Sequence, residues 1–276
     1  MISNVNRLLG RSRRAISETH PIVGRTISVA VRYYATARVK EASLVSAIRY
    51  DAPIEPKRIY RVDPDRIERT VSWTEISADR KGDEHPRFRR PKYLLAGRVF
   101  GGDWDTVEER VTDSTICRSF LRRFEEGISW EQTRFYAETR AAIDAGEAPW
   151  GCRTESDLKR RCAQLDTIYE RIATDGYKTQ DELHELGDPT TSPHRIYRRI
   201  WSEIGVHIGR NGEFIFQDGR NRLAIARLLD LESVPVVVLV RHERWQRKRD
   251  RIARGEIKRV DLPARLQSHP DLVDLF

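Results

Sequence analysis

The chain has 276 residues, 39% of them apolar, with 50 Lys and Arg against 42 Asp and Glu, which is enough to build one sizeable core with room for an accessory unit. No apolar run approaches the roughly 18 to 20 residues of a membrane-spanning helix, and the N-terminus lacks the continuous apolar segment of a secretory signal, so the expected location is the cytoplasm. Cys117, Cys152 and Cys162 are odd in number and contain no CxxC pair, which fits reduced thiols better than a disulfide framework or a zinc site.

Basic charge is concentrated at the start of the chain. Residues 1–50 carry nine Lys or Arg against only Glu18 and Glu41, while the rest is nearly neutral. Arg7, Arg11, Arg13 and Arg14 are mixed with Leu8, Leu9, Ile16, Ile22 and Val23. This basic N-terminal arm is either a solvated extension or, through residues 1–45, a contact for an anionic membrane surface or a nucleic acid, which would make the protein peripheral to the membrane in the first case. From residue 51, Pro53, Pro56 and Pro64 oppose helix and Ile59, Tyr60 and Val62 favour strand, so an extended segment is expected, followed by the exposed polar loop SADRKGDEHPRFRRP.

Three helices are expected next. Ile116, Phe120 and Phe124 recur every four residues within a helix over about 106–125. Ser129 and Gln132 have the spacing of a capping box for a second, ending near Gly146. Thr154 and Asp157 cap a third, in which Leu158, Cys162, Leu165, Ile168, Tyr169 and Ile172 share a face before Asp175-Gly176. Residues 51–150 thus read as an extended segment plus helical accessory unit. Further on, Val206–Ile208 and Phe214–Phe216 flank Asn211-Gly212, a hairpin signal. A short helix over 223–229 and an apolar strand over 234–240 complete a unit spanning 151–245, and 246–276 read as a charged tail. The fold class is α+β: a mixed sheet with helices plus a mainly helical segment.

Between the second hairpin strand and the short helix lies Asp218-Gly219-Arg220-Asn221-Arg222. Glycine permits a positive φ or close backbone approach, and the helix start behind it presents free N–H groups and the positive end of the dipole. With two guanidinium groups, such a turn suits a phosphate or other anion, and Asp218 could bind Mg²⁺ or accept a proton. The other reading is an ordinary Asp-Gly turn with Asn221 as a helix cap.

The order of motifs resembles the ParB/sulfiredoxin superfamily. LDTIYERIATDGYKTQ (residues 165–180, ending at Gln180), DGRNRLAIARLLDL (218–231) and SVPVVVLV (233–240) are similar to its three successive elements, so the resemblance covers about residues 155–242. It implies that Gly219, Arg220, Asn221 and Arg222 bind nucleotide phosphates. Arg220 stands where sulfiredoxins carry cysteine, and the chromosome-partitioning GERRxRA pattern keeps only Gly219 and Arg222. The closest form is the D-G-x-H-R turn of free-standing members that include an ADP-dependent amino-acid kinase, with Asn221 in place of histidine.

Two functions of different class follow as expectations. One is an ATP-, ADP- or CTP-dependent phosphotransferase or nucleotide hydrolase using a nucleoside di- or triphosphate with Mg²⁺. Its catalytic candidates are Asp218, which also holds the metal, with Asp103 and Asp105 of FGGDWD as a second source of carboxylate. Gln180 and His242 are further candidates. The alternative is a nucleotide-sensing or DNA-associated module without turnover, docked by its basic arm.

Overall fold

The computed structural model describes residues 21–71 and 91–276, with side chains from Thr26 onward. Residues 1–20 of the basic arm and most of the polar loop expected after residue 76 lie outside the described residues. Elements are numbered in chain order: α1 Pro21–Arg49, β1 Ile59–Val62, β2 Arg69–Thr70, α2 Lys92–Leu95, β3 Arg98–Phe100, α3 Thr115–Phe124, α4 Arg134–Asp144, α5 Glu155–Asp175, α6 Gln180–Glu185, α7 Arg195–Tyr197, β4 Ile204–Ile208, β5 Phe214–Asp218, α8 Arg220–Leu228, β6 Val234–His242, α9 Glu243–Ala253 and α10 Ala264–Gln267. A single π-helical turn, Arg198–Ser202, joins α7 to β4.

The strands form one mixed sheet in the order β1-β6-β4-β5-β2, and β3 adds to the edge of β6 that β1 leaves uncovered. β6 runs antiparallel to β1 and parallel to β3 and β4, while β5 returns antiparallel along β4. All nine residues of β6 are buried, and the first seven, VPVVVLV, form the apolar run expected at the centre of a sheet covered on both faces. Strand alternation divides the core. Val236 and Val238 face a layer with Leu223, Trp245, Leu262, Leu266 and Leu272, whereas Val237 and Leu239 face Ala35, Val39, Leu95 and Trp104. The fold is therefore α+β, with helices on both sides of the sheet.

A third apolar cluster joins α3, α4 and α5, through Phe120, Phe135, Leu158 and Leu165, to Ala224 and Ile225 of α8. The helical segment thus buttresses the element that carries the Asp218–Arg222 turn. The capping box expected for α5 is present at Thr154 and Asp157, and Gly176 ends the helix at φ +74°. Two boundaries differ from expectation. α3 begins only at Thr115, capped by Ser114, because residues 106–110 run as extended chain into a short 3-10 turn. α4 is capped by Thr133 and not by Ser129, which precedes a separate 3-10 turn, Trp130–Gln132.

The ends of the chain also differ. Residues 21–49 of the arm form one long helix. The segment read as a charged tail packs into the core, where buried Asp271 accepts through Oδ1 from Arg241 Nη2 at 2.6 Å and Tyr60 Oη at 2.9 Å and through Oδ2 from Trp245 Nε1 at 2.9 Å. Lys and Arg made this segment look solvated, yet Arg241 and Arg249 are buried beside that carboxylate.

Candidate functional site

Gly219 sets the geometry. Its φ is +99°, and a Cβ there would lie 3.0 Å from the backbone Cα of Ile204. Only glycine therefore lets β5 turn into α8 while pressed against the start of β4. α8 begins with no side-chain cap, and the first amide bonded back into its ladder is Leu223 N, on Gly219 O at 3.1 Å. Its opening N–H groups point out of the helix end, where the dipole is positive.

Four ionisable side chains converge at this end of the sheet. Lys92, buried at the start of α2, pairs with Asp218 Oδ2 at 2.8 Å and donates to the carbonyls of Trp201 and Glu203 at 3.1 and 3.3 Å. Gly205 opposes Asp218 in the ladder, where a Cβ would crowd Leu239 Cδ1 at 3.1 Å. Glu203 is fully buried, accepts from Gln180 N at 2.6 Å through Oε1, and approaches Arg222 Nη1 at 3.6 Å through Oε2. Asp181 fixes that corner by accepting from Arg198 at 3.0 Å and Arg199 at 2.5 Å, which ties the first turn of α6 to the π turn before Glu203.

Polar atoms are left over here. Glu203 Oε2, Arg222 Nη1, Tyr177 Oη and Asn221 Oδ1 are buried without a hydrogen-bond partner among the described residues. Arg222 lies near enough to Tyr177 to act on its ionisation, but not in hydrogen-bonding geometry. Each unpaired buried polar group costs about 1 to 3 kcal/mol, so several on adjoining side chains mark a place where a polar ligand would be stabilising.

Ionisation is perturbed in the same place. Burial pushes Glu203 up to about 7, against the pull of Arg222, the Gln180 N–H and Lys92. Burial also lowers Lys92, partly offset by Asp218, and raises Tyr177 to about 12. For Asp218, desolvation works upward but is outweighed by Lys92 and the Gly219 N–H, which hold the carboxylate below its ordinary value. The site so combines two fixed cations, a neutral phenol, a persistent carboxylate and a carboxyl that exchanges its proton near neutrality.

The structure separates the other sequence candidates. Asp103 and Asp105 do not join Asp218; they lie at the opposite end of the β4–β5 hairpin, about 13 Å along the strand. Asp105 is buried and accepts from Arg210 N at 2.7 Å and from its guanidinium at 2.6 Å, while Asp103 takes the same guanidinium at 2.8 Å. These carboxylates clamp the hairpin turn. For Asp105, desolvation acts upward, but the Arg210 hydrogen bonds hold its carboxyl low. His242 is buried at that end too, with Nε2 on Gly102 O at 2.9 Å and Nδ1 accepting from Arg244 N at 3.0 Å, so it caps α9. Arg220 turns back over the Phe216 ring at 6.0 Å. Gln180 meets the site by donating its backbone N–H to Glu203 Oε1.

Lys92, Tyr177 and Glu203 were not singled out in the sequence: Lys92 and Glu203 belong to no motif, Tyr177 lies unremarked within the 165–180 segment, and each is brought in by a different connection. The one local signal is a lone Glu directly before the apolar strand IGVHI. Comparison of the chain with protein-family models, with curated proteins and with solved structures gives no significant match.

Proposed function

We propose that the Asp218–Arg222 turn binds the phosphates of a nucleotide and that the protein is a small phosphotransferase or nucleotide hydrolase. One observation carries this reading: buried polar atoms of Glu203, Arg222 and Tyr177, without hydrogen-bond partners among the described residues, sit beside the Lys92–Asp218 pair at the start of α8. Arg222 and the α8 N–H groups would take phosphate oxygens by charge-assisted hydrogen bonds, and Lys92 would add charge from the sheet side. Tyr177, neutral at ordinary pH, would donate.

Glu203 supplies what a bare anion site lacks. A carboxyl near 7 is divided between its two forms at neutral pH, so in its ionised form it can take the proton of an acceptor hydroxyl or of water as that oxygen bonds to the terminal phosphorus and the bond from phosphorus to the bridging oxygen breaks, releasing the shortened nucleotide. Among the described residues no three His, Cys, Asp or Glu converge to hold a metal. A Mg²⁺ carried by the nucleotide fits with Asp218 as its one protein ligand, the rest being phosphate and water oxygens, and would neutralise phosphate charge. The test is thermal melting with ATP, ADP, CTP, GTP or inorganic phosphate, each with and without Mg²⁺, followed by assay of phosphate release. A selective rise with turnover supports the proposal; a selective rise without turnover leaves a sensor and removes the enzyme.

A further inference from the structure

Helix α1 buries its small side chains and shows its large ones to water. Ala35, Val39, Ala42 and Ser46, spaced four, three and four residues apart, are all at most 9% exposed and face the sheet layer with Tyr93 and Leu95. On the far side Tyr33 is 70% exposed, Leu44 67% and Ile48 89%. At about 100° per residue, positions 33, 37, 44 and 48 form a stripe roughly half a turn from the buried one. Val29, Tyr34 and Val45 flank it, and all three are also exposed. A surface helix ordinarily does the reverse, and a contiguous exposed apolar stripe marks an interaction surface.

Charge identifies the occupant. α1 carries Arg25, Arg32, Arg38, Lys40 and Arg49 against Glu41 alone; Lys40 lies beside the stripe, Arg32 and Arg49 on the flanks between it and the buried face, and Glu41 is paired with Arg38. The preceding residues add Arg7, Arg11, Arg13 and Arg14 against Glu18 alone. A nucleic acid would match the charge but offers nothing to Leu44 and Ile48. A second copy of α1 would cover the apolar stripe but bring like charges together. An anionic bilayer takes both, with the aliphatic and tyrosine side chains at the headgroup boundary and the basic side chains at lipid phosphates. We propose that α1 lies in the plane of an anionic membrane surface, its stripe of Tyr33, Leu44 and Ile48 inserted and its opposite face held by the protein. This rests on the helix alone and not on the nucleotide reading.

The test is flotation of the full chain with vesicles of phosphatidylcholine alone or mixed with phosphatidylglycerol, at low and high salt. Binding is expected only with the anionic lipid and should weaken with salt. The double variant Leu44→Glu, Ile48→Glu changes two exposed positions, so its melting temperature should match the parent while vesicle affinity falls about tenfold or more. A second variant, Lys40→Ala with Arg49→Ala, should lose the preference for anionic lipid. Failure of the parent to float with either vesicle overturns the proposal, as does full binding by the folded Glu variant. A concentration-dependent dimer abolished by the Glu substitutions, without vesicle binding, would assign the stripe to a second copy. Duplex DNA binding without vesicle binding would assign the charge to nucleic acid.

Discussion

Replacing Glu203 by Gln should make the protein more stable above neutral pH and leave it unchanged in acid. In the native state the carboxyl titrates at about 7 instead of its ordinary 4.5, and the side chain is fully buried. Between those values the native state holds a proton that the unfolded chain has lost, so stability falls as pH rises through the window. At about 1.4 kcal/mol for each tenfold, ionised Glu203 costs the native state about 3 kcal/mol once pH exceeds 7. Gln carries no such charge and its Oε1 can still accept from Gln180 N, so the difference should approach zero near pH 4.5 and about 3 kcal/mol at pH 8, or roughly 5 °C in melting temperature.

The wild-type profile alone would not show this, because burial pushes His207 and His269 down to about 4. Those histidines make stability rise with pH between about 4 and 6.5, opposite in sign to Glu203. Urea unfolding of both proteins from pH 4.5 to 8, plotted as a difference, removes the shared histidine contribution. Parallel curves would show that Glu203 ionises normally and would take away its role as proton acceptor.

Asp218→Asn should keep nucleotide binding, since the lost charge repels phosphate, but abolish the Mg²⁺ dependence of the thermal shift and any phosphate release; turnover that persists would remove Asp218 from the chemistry. Gly219→Ala should destabilise by about 2 to 3 kcal/mol, because φ +99° strains an L residue and the new Cβ meets backbone, a loss that denaturant unfolding would register. Asp105→Asn should lower the melting temperature by loosening the hairpin turn yet leave the nucleotide response intact, and a lost response would place Asp105 at the site after all.

The strand-turn-helix from Phe214 to Leu228 could be read in the sequence because its signals are local: alternation, a glycine where φ must be positive, and an apolar helix face. The capping box at Thr154 was legible for the same reason. The remainder of the candidate site was not. Lys92 reaches Asp218, 126 residues further along the chain, because α2 packs against the π turn before β4, and Glu203 is aimed by Asp181 holding Arg198 and Arg199. Asp103 and Asp105 look catalytic as a sequence pair, and only the hairpin's direction shows that they clamp its turn. The burial of Arg241 and Asp271 was hidden too, because each charge is tolerable only once the other is beside it.

The most direct measurement is the nucleotide thermal-shift panel repeated on Arg222→Ala. That side chain is 22% exposed and touches Glu203 only at 3.6 Å, so the variant should remain folded. Every stabilisation that ATP, ADP, CTP, GTP or phosphate gives the parent should vanish in the variant, with its ligand-free melting temperature within a few degrees of the parent's. An undiminished shift in folded Arg222→Ala would contradict phosphate binding at the start of α8.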